Sequence, residues 1–460
     1  MKSLCWIRRD LRLHDHAALS KALERGETSI VFIFDPHILD KLDDKEDKRL
    51  TFIIDSLKEM EETLQKKGSS IHILYGTPEE EIPLLAHELK VSYVFSNRDY
   101  EPYAKIRDQL VAKKLAALNI EFELFKDTVY YEKNEVLTNM GGTYKVFTPY
   151  KNKWLEKFES QGKIVPTYDC PLNGLIKFEN KKNIIDFDWY KIIGFKEAPV
   201  LLPGGSKAAK KRLKTFADKI DDYKDARNYP AIDGTSQLSV HLRFGTISIR
   251  ELVQESITHR SDGASTWLSE LIWRDFYHMI LDVHPEVEKV AFKPVYDNIK
   301  WPGTQAHFQA WCDGQTGFPI VDAAMRCFKQ TGMMHNRLRM IVASFLCKIL
   351  LVDWRKGEKY FAEKLLDYDL AANNGGWQWS SSSGCDAQPY FRIFNPYTQS
   401  EKFDAEGKFI SIWCPELAKA KNKQIHHPDI LLFPDYPKPI VSYDNNRIRC
   451  LEIYSVVKGS

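Results

Sequence analysis

Up to about residue 130, short apolar runs alternate with longer segments in which apolar residues recur every three or four positions. The runs are rich in β-branched residues and comprise Leu4–Ile7, Ile30–Phe34, Ile71–Leu74, Tyr93–Phe95 and Ile120–Leu124. Short apolar runs predict buried strands, and the three- to four-residue spacing of Lys48–Lys67 and Ala104–Leu118 predicts helices. Alternation of the two predicts parallel strands joined by crossover helices, and hence a doubly wound α/β domain over residues 1–130.

The pattern changes twice further along the chain. Residues 131–202 are polar and interrupted by glycine and proline, which predicts a long connector that runs over the surface. From residue 203 strand patterns nearly vanish and helical stripes dominate; they include Arg250–Ile257, Trp267–Leu281 and Met333–Leu351. We therefore expect a mostly α-helical domain over residues 203–460.

Composition narrows the class of protein. A chain of 460 residues that is 28% charged and 43% hydrophobic can bury several cores, which excludes disordered and fibrous classes. The longest uncharged stretch, around Met340–Leu346, is far shorter than the ~20 apolar residues that span a bilayer, and no leader opens the chain. We expect a soluble cytoplasmic protein, monomeric and without contact to a membrane.

Several common sites are absent from the sequence. The eight cysteines form no C-x-x-C pair, and the paired histidines have no further ligands at metal spacing, so neither a metal site nor a disulfide framework is expected. No G-x-G occurs, which excludes the usual dinucleotide and phosphate-loop fingerprints. A net charge of +2 means that any binding to DNA must come from a local basic patch. Eight of the 11 tryptophans lie between Trp267 and Trp413, more than an ordinary core needs.

The predicted helix around Met333–Leu351 has one apolar residue on its polar side. At ~100° per residue, Met340 falls beside Asn336, Arg337 and Arg339, opposite the apolar stripe. A polarizable thioether next to an amide and two guanidinium groups suits a flat aromatic ligand. Packing of Met340 on a neighbouring helix is the equally simple alternative.

Two further segments combine aromatic, acidic and small residues. Glu270 and Trp273 share a face of the helix over Trp267–Leu281, although an aromatic stripe at this spacing usually belongs to a core. Between Leu365 and Gly384, paired glycines and small hydroxyl residues stand beside two tryptophans. Such low side-chain volume predicts a ligand cavity, and a glycine-rich turn is the alternative.

Hydroxyl groups and charge mark two candidate sites for anions. Thr235–Ser239 offers hydroxyl and backbone N–H groups at a possible helix start, which could bind phosphate or simply cap the helix. The basic run Lys207–Lys214 is read as a solvated helix face rather than a DNA contact.

Taken together, these segments resemble the photolyase/cryptochrome family, and within it the bacterial class I cyclobutane pyrimidine dimer photolyases. The matching motifs occur in the same order over nearly the whole chain; they are residues 6–15, 144–149, 235–239, 267–273, 335–340, 373–379 and 390–396. The family architecture, an α/β domain followed by a connector and a helical FAD-binding domain, agrees with the periodicity.

The resemblance implies a bound FAD and the residues that hold it. Its phosphates would contact Thr235, Ser236, Gln237, Leu238 and Ser239, with Tyr223 nearby. The isoalloxazine ring would lie against Asp367, Asp369 and Asn373, with Arg339 paired to Asp367. An amide such as Asn373 can serve the adjacent ring nitrogen whether that nitrogen is protonated or not.

The activity implied is light-driven repair of DNA that contains pyrimidine dimers. Excited reduced FAD would donate an electron to a flipped-out dimer, the cyclobutane ring would open, and the electron would return. The catalytic residues implied are Glu270, Asn373 and Met340. The residues implied in contacts with the lesion and the flanking DNA are Arg227, Glu270, Trp273, Asn336, Arg337, Met340, Trp379, Arg392 and Gln399.

The resemblance also gives part of the tryptophan surplus a role. Indole is readily oxidised, so a chain of tryptophans can pass electrons from the surface to an oxidised flavin. By resemblance this chain runs from Trp377 at the flavin through Trp354 to Trp301. Simple packing is the interpretation kept for Trp267, Trp311 and Trp413.

Two positions depart from the folate-binding members of the family. Tyr103 and Ala104 stand where those relatives have an Asn-Glu pair, and Glu288 stands where they have a lysine. Both changes remove polar contacts to folate. A second light-harvesting chromophore is therefore possible but unidentified, and folate, a deazaflavin, a second flavin and an empty site all stay open.

Three other functions compete with dimer repair. A photolyase for the six-four photoproduct would need two histidines where this chain has Asn336 and Met340, and methionine cannot transfer a proton. An ordinary flavin oxidoreductase would carry a nicotinamide fingerprint. A cryptochrome-type blue-light receptor is the main alternative, although such receptors often replace the asparagine at 373 and add a signalling tail.

Overall fold

The computed structural model describes residues 1–178, 188–420 and 422–457. The stretch 179–187 of the predicted connector lies outside the described residues. Within the described part of the chain, a parallel sheet comes first and helices dominate the rest.

The N-terminal sheet has five parallel strands in the order β3-β2-β1-β4-β5. Its strands are β1 (Lys2–Ile7), β2 (Glu27–Phe34), β3 (Ile71–Tyr75), β4 (Tyr93–Asn97) and β5 (Glu121–Phe125). The central strand β1 pairs Cys5 with Ile30 of β2 and with Phe95 of β4. All five predicted strands are present, so the predicted doubly wound fold is confirmed.

Successive side chains of a strand point to opposite faces of the sheet. Because helices cover both faces, both sets of side chains are buried. Cys5 and Ile7 of β1 pack in the cluster that contains Leu19. Leu4 and Trp6 of the same strand pack in the cluster that contains Val111. The flanking helices are α1 (Ala17–Arg25), α2 (Pro36–Leu39), α3 (Lys48–Gln65), α4 (Pro78–Glu88) and α5 (Pro102–Ala117).

The connector contains a helix that the sequence reading did not predict. Helix α6 (Phe147–Ser160) buries Phe147, Tyr150, Trp154 and Phe158, which lie on one face at three- and four-residue spacing. Pro149 stands in its first turn, where a missing N–H costs nothing. Short helices follow at Leu172–Gly174 and at α7 (Trp189–Ile193).

The C-terminal part is built from helices packed around two cores, one containing Val342 and the other Trp267. Its helices are α8 (Ser206–Ala217), α9 (Tyr223–Ala226), α10 (Ser239–Arg243), α11 (Ile249–Thr258), α12 (Asp262–Val283), α13 (Gln305–Asp313), α14 (Pro319–Thr331), α15 (Asn336–Lys348), α16 (Trp354–Lys364), α17 (Leu370–Ser380), α18 (Pro396–Phe403), α19 (Lys408–Trp413) and α20 (Tyr443–Ile453). Short 3₁₀ turns occupy Ile220–Asp222, Pro285–Glu288, Pro294–Asn298, Pro415–Leu417, Asn422–Ile425 and Tyr454–Val457. The predicted helical domain is confirmed.

Buried ion pairs join the α/β part to the helical part. Asp127 accepts from Arg12 at 2.6 Å and from Arg250 of α11 at 2.7 Å. Both arginines hold the pKa of this carboxyl well below its usual range despite its burial. Removing one partner would leave a buried charge uncompensated, so the network fixes how the two parts meet.

No helix among the described residues is long and apolar enough to cross a membrane. All eight cysteines are free thiols. No group of three or more histidine, cysteine or acidic side chains in the described ranges is arranged to hold a metal ion.

Candidate functional site

A cavity of about 590 Å³ opens in the helical part, within the usual range for small-molecule sites. Nine of the ten residues predicted to hold FAD line it: Tyr223, Thr235, Ser236, Gln237, Leu238, Ser239, Arg339, Asp367 and Asp369. Two residues predicted to face the lesion, Glu270 and Asn336, line the same cavity. The predicted cofactor and lesion groups therefore adjoin one space.

The segment Thr235–Ser239 forms one wall, and Arg212 supports it from behind. Arg212 donates through Nε to the carbonyl of Ser236 at 2.9 Å and through Nη2 to the carbonyl of Thr235 at 3.3 Å. Gly234 passes so close to the backbone of Ala226 that a Cβ would lie 2.5 Å from its carbonyl oxygen. Only glycine fits there, and the loop is thereby pressed against the short helix α9.

The opposite wall carries the predicted ring contacts. Arg339 donates to both carboxylate oxygens of Asp367, at 3.0 and 2.8 Å, and through Nε to the carbonyl of Met334. Both contacts to Asp367 come from Nη2, while Nε is held by the Met334 carbonyl, so the ion pair keeps the guanidinium and the carboxylate in register. Asp369 caps α17 by accepting from the N–H of Ala372 at 3.2 Å. Asp369 also lines the cavity, so the residue that caps the start of α17 faces the ligand space.

Asn373 is the one predicted FAD residue outside the cavity lining. Its Nδ2 donates to the backbone carbonyl of Glu358 at 3.1 Å and to the Oε1 of Glu358 at 2.9 Å. Both bonds use the nitrogen, so the side-chain oxygen is available to accept from a protonated nitrogen. Burial, with a smaller contribution from Glu288, raises the pKa of Glu358 to about 7.

Unpartnered buried groups test whether a polar cofactor fits this space. His335 lines the cavity, and its buried Nε2 finds no hydrogen-bond partner among the described residues. Burial and the neighbouring arginines lower the pKa of His335 to about 4, so the ring is neutral at pH 7. Arg243 and Arg274 also line the cavity, and each leaves a buried N–H without an acceptor. Such groups require acceptors, which hydroxyls, phosphates and ring oxygens of FAD supply.

Arginines and a carboxylate surround the mouth of the cavity. Arg227 forms an ion pair with Glu270, and both side chains are partly exposed. Arg337 donates to Asn228 at 2.5 Å and lies over the ring of Phe403 at 4.5 Å. The Nη1 of Arg337 is 3.6 Å from the sulfur of Met340, so the methionine adjoins this charged rim.

Trp273 of α12 and Trp379 of α17 are not among the described residues that line this cavity, and both lie near Tyr277. The indole of Trp273 stacks on Phe147 of α6, with ring centroids 3.5 Å apart and planes within 8°. Trp273 also lies against Tyr277 at 5.4 Å. Trp379 lines a small pocket together with Tyr277. Tyr277 therefore contacts one predicted clamp, Trp273, and shares a pocket with the other, Trp379.

The paired glycines, predicted to border a ligand cavity with a glycine-rich turn as the alternative, lie in a helix rather than a turn. Gly375 lies inside α17, and a Cβ there would be 2.2 Å from the ring of Tyr277. The bulky group that the small residues admit is thus a neighbouring aromatic side chain. Gly375 therefore lets α17 approach α12 closely at Tyr277.

The two remaining predicted DNA contacts lie at the periphery. Arg392 is exposed in the loop that precedes α18. Gln399 lies on α18, four residues before Phe403, and therefore on the helix face that meets Arg337. Contact of these two residues with DNA stays a prediction.

The three tryptophans of the predicted electron path differ in exposure only at the outer end. Trp377 and Trp354 are buried, and Trp301 is half-buried. Trp377 lies against Gly357, one turn after Trp354 on α16, and a Cβ on that glycine would overlap its ring. The loop after Trp301 is tied to the segment before Trp354 by a bond from the N–H of Gly303 to the carbonyl of Leu351 at 2.8 Å. The order of the electron path stays a prediction.

Sequence reasoning missed four groups around the cavity. Glu358, Arg243, Arg274 and His335 were not assigned to the site, and neither was the stacking partner Phe147. His335 and Phe147 lie inside recognised motifs, residues 335–340 and 144–149, and Arg274 directly follows the motif over residues 267–273. Arg243 and Glu358 reach the site by tertiary packing, for which their own segments carry no signal.

Comparison with known proteins agrees with this arrangement. Residues 3–170 match the family profile described as DNA photolyase, and residues 267–456 match that of the FAD binding domain of DNA photolyase. The deoxyribodipyrimidine photo-lyase of Escherichia coli is 38% identical, and the alignment covers 99% of this chain and 98% of that protein.

Two solved structures share the whole fold. The photolyase of Sulfolobus tokodaii, an archaeal protein described with two FAD molecules, has a TM-score of 0.84 at 34% identity and covers 99% of this chain and 100% of its own. The cryptochrome of Synechocystis has a TM-score of 0.87 at 28% identity and covers 98% and 99%. With profile matches over both parts and a full-length relative at this identity, the chain belongs to the DNA photolyase family.

Proposed function

We propose that this protein is a deoxyribodipyrimidine photo-lyase that uses light to split cyclobutane pyrimidine dimers in DNA. The observation that carries the proposal is the shared cavity, in which Glu270 and Asn336 adjoin the groups that bind FAD. When bound, reduced FAD supplies under blue light the electron that opens the cyclobutane ring and receives it back.

The chain's own residues bind and orient the two partners. Thr235–Ser239 and Tyr223 hold the phosphates of FAD, and Arg339 with Asp367 fixes the ring. Asn373 presents its side-chain oxygen to the nearby ring nitrogen while Glu358 holds its amide nitrogen. This orientation favours the protonated form of that nitrogen.

A second set of residues accepts the flipped-out dimer. Trp273 and Trp379 contact its faces, and Met340 packs beneath it. Glu270 and Asn336 pair with its polar edges, where unpaired groups would otherwise lose hydrogen bonds on leaving the duplex. The flanking DNA is held by Arg227, Arg337, Arg392 and Gln399.

We further propose a division of labour along the chain. Residues 1–130 form the antenna-type domain, 131–202 the connector and 203–460 the domain that binds FAD and DNA. Trp377, Trp354 and Trp301 restore reduced FAD by passing electrons inward. The photolyase of Sulfolobus tokodaii is described with two FAD molecules, which supports a flavin as one candidate for a second chromophore. Action as a cytoplasmic monomer stays a prediction, which sedimentation and cell fractionation test.

The test uses the purified, reduced protein and an oligonucleotide with a single thymine dimer. We expect intact thymines to reappear in blue light and none in the dark. An oligonucleotide with a six-four photoproduct is the matched substrate control and is expected to remain damaged. Absence of light-dependent recovery from the dimer would refute repair and favour the blue-light receptor, the alternative that the cryptochrome neighbour supports.

A further inference from the structure

Three arginines from distant parts of the chain meet around Asp369. Arg9, just after β1, contacts Asp369 and also donates to Glu101 at 2.8 Å and to Asp99 at 3.2 Å. Arg243 ends α10, with its Nη2 3.8 Å from Glu101. Arg274 comes from α12. We call Arg9, Arg243 and Arg274 the arginine cluster.

Each guanidinium of the arginine cluster keeps one buried N–H without an acceptor among the described residues. These groups are Arg9 Nε, Arg243 Nη1 and Arg274 Nη2. An unmade hydrogen bond of a buried charged group is costly. Because Arg243 and Arg274 line the cavity, a ligand there can supply acceptors to both.

The local charges also leave room for an additional anion. Burial and the charge of Arg9 lower the pKa of Arg243, and burial lowers that of Arg274. Burial thus disfavours the charged form of these two guanidinium groups, although the negative charge of Asp369 lies near both. Burial and nearby Asp99 raise the pKa of Glu101, so this carboxyl is a poor source of compensating charge. A negative ligand group beside the cluster would therefore be stabilised.

FAD offers two anionic groups, its diphosphate and its reduced ring. The diphosphate is expected at Thr235–Ser239, and Ser239 starts α10 while Arg243 ends it. Arg212 already supports the phosphate segment. The arginine cluster instead surrounds Asp369, which is expected against the ring. Position therefore favours the ring.

We propose that Arg243 and Arg274, which lie close to Arg9 and Asp369, provide the counter-charge for the anionic reduced isoalloxazine ring. Reduction adds two electrons and one proton to the oxidised ring, which leaves one negative charge. The cluster then binds reduced FAD more tightly than oxidised FAD and raises its reduction potential. This inference rests on the proposed function only in taking FAD as the ligand.

The experiment compares wild type with Arg243→Gln and Arg243→Lys. The affinity for FAD is measured in the oxidised and the dithionite-reduced states, and the potential is measured by reductive titration. Arg243→Gln should weaken binding of reduced FAD about tenfold more than binding of oxidised FAD, which equals a potential about 30 mV more negative. Arg243→Lys should restore part of the difference because it restores the charge.

Two controls separate the ring from the diphosphate. Arg212→Gln should weaken both redox states equally and leave the potential unchanged. Arg25→Gln, at an exposed position on α1 beside Glu123, should change neither quantity. Arg274→Gln is a secondary variant, because Arg274 also donates to the carbonyl of Thr128 and so contributes to folding.

The possible outcomes are distinct. An equal loss of affinity in both states for Arg243→Gln would assign it to the diphosphate and overturn the proposal, and so would no change at all. A selective loss for the reduced state supports it. Failure of dimer repair with normal FAD binding would refute the proposed function and leave this inference intact.

Discussion

Replacing Glu358 by glutamine should stabilise the protein at neutral and alkaline pH. Burial is the main reason that the pKa of Glu358 rises from 4.5 to about 7, and the negative charge of Glu288 adds to it. In the folded protein this carboxyl therefore keeps its proton over a pH range in which the unfolded chain has lost it. Glutamine does not titrate, and its side-chain oxygen can still accept from Asn373.

The sign follows from proton linkage. A raised acid pKa means that the folded state binds more protons, so the free energy of unfolding falls as pH rises from about 4.5 to about 7. At 1.36 kcal/mol per pKa unit, the ionised carboxyl costs up to about 3 kcal/mol above that range. The advantage of Glu358→Gln should therefore be absent at low pH and approach this value near pH 8.

Urea unfolding of the FAD-saturated protein at pH 5.0 and pH 8.5 measures the effect. Glu363→Gln is the matched control, because it removes a carboxylate from the same helix while Glu358 and Asn373 stay in contact. Glu288→Lys supplies a second perturbation, since replacing a negative by a positive charge should lower the pKa of Glu358 and flatten the pH profile of the wild type. A Glu358→Gln advantage of equal size at both pH values would refute the reasoning.

Three further predictions concern electron transfer and lesion binding. Trp301→Phe should slow photoreduction of oxidised FAD and spare repair by pre-reduced protein; normal photoreduction in a laser-flash experiment would show that the path is misassigned. Phe147→Leu should weaken binding of a dimer-containing oligonucleotide by about 0.5–1.5 kcal/mol because the stack that orients Trp273 is lost, whereas Phe147→Tyr should bind normally in the same fluorescence titration. Met340→Ala should remove about 1–2 kcal/mol of apolar contact with the dimer while absorbance shows full FAD occupancy; unchanged dimer affinity would exclude Met340 from the lesion site.

The sequence predicted those elements whose signal is local. The five strands follow directly from apolar runs such as Ile30–Phe34, since strands buried on both faces are apolar throughout. Helix α15 was predicted as Met333–Leu351 and occupies Asn336–Lys348, a usual error at helix ends. Helix α6 was missed although Phe147, Tyr150, Trp154 and Phe158 have helical spacing, because the glycines and prolines around it favoured a connector.

The cavity lining was predicted through motifs, whereas the groups behind it were not. Thr235–Ser239 and Asp367–Asp369 are contiguous, so one stretch of sequence contains each wall. The contact of Arg9 with Asp369 joins residues 360 positions apart. Arg9 lies in the recognised motif over residues 6–15, but nothing in that motif indicates a contact with Asp369. Its role depends on how the α/β part packs on α17, and this is a property of the assembled fold.

Helix α17 shows why the functional residues stand at their particular spacings. At about 100° per residue, Asn373 and Trp377 lie within ~40° of each other, and Gly375 and Trp379 share the opposite side. The first pair faces Glu358 and Gly357 of α16, and the second faces Tyr277 of α12. Under the proposed function, one side of the helix would serve the ring and its electron supply, and the other would serve the lesion.

Rotation of this helix would misplace both sides at once, so its start must be fixed. Asp369 does this by capping the first turn through the N–H of Ala372. The same carboxylate is held by Arg9 from the α/β part. The α/β part thus has a direct mechanical link to the helix that positions Asn373, Trp377 and Trp379. A change at the Arg9 contact should consequently affect photoreduction and lesion binding together, whereas Trp301→Phe affects only the first.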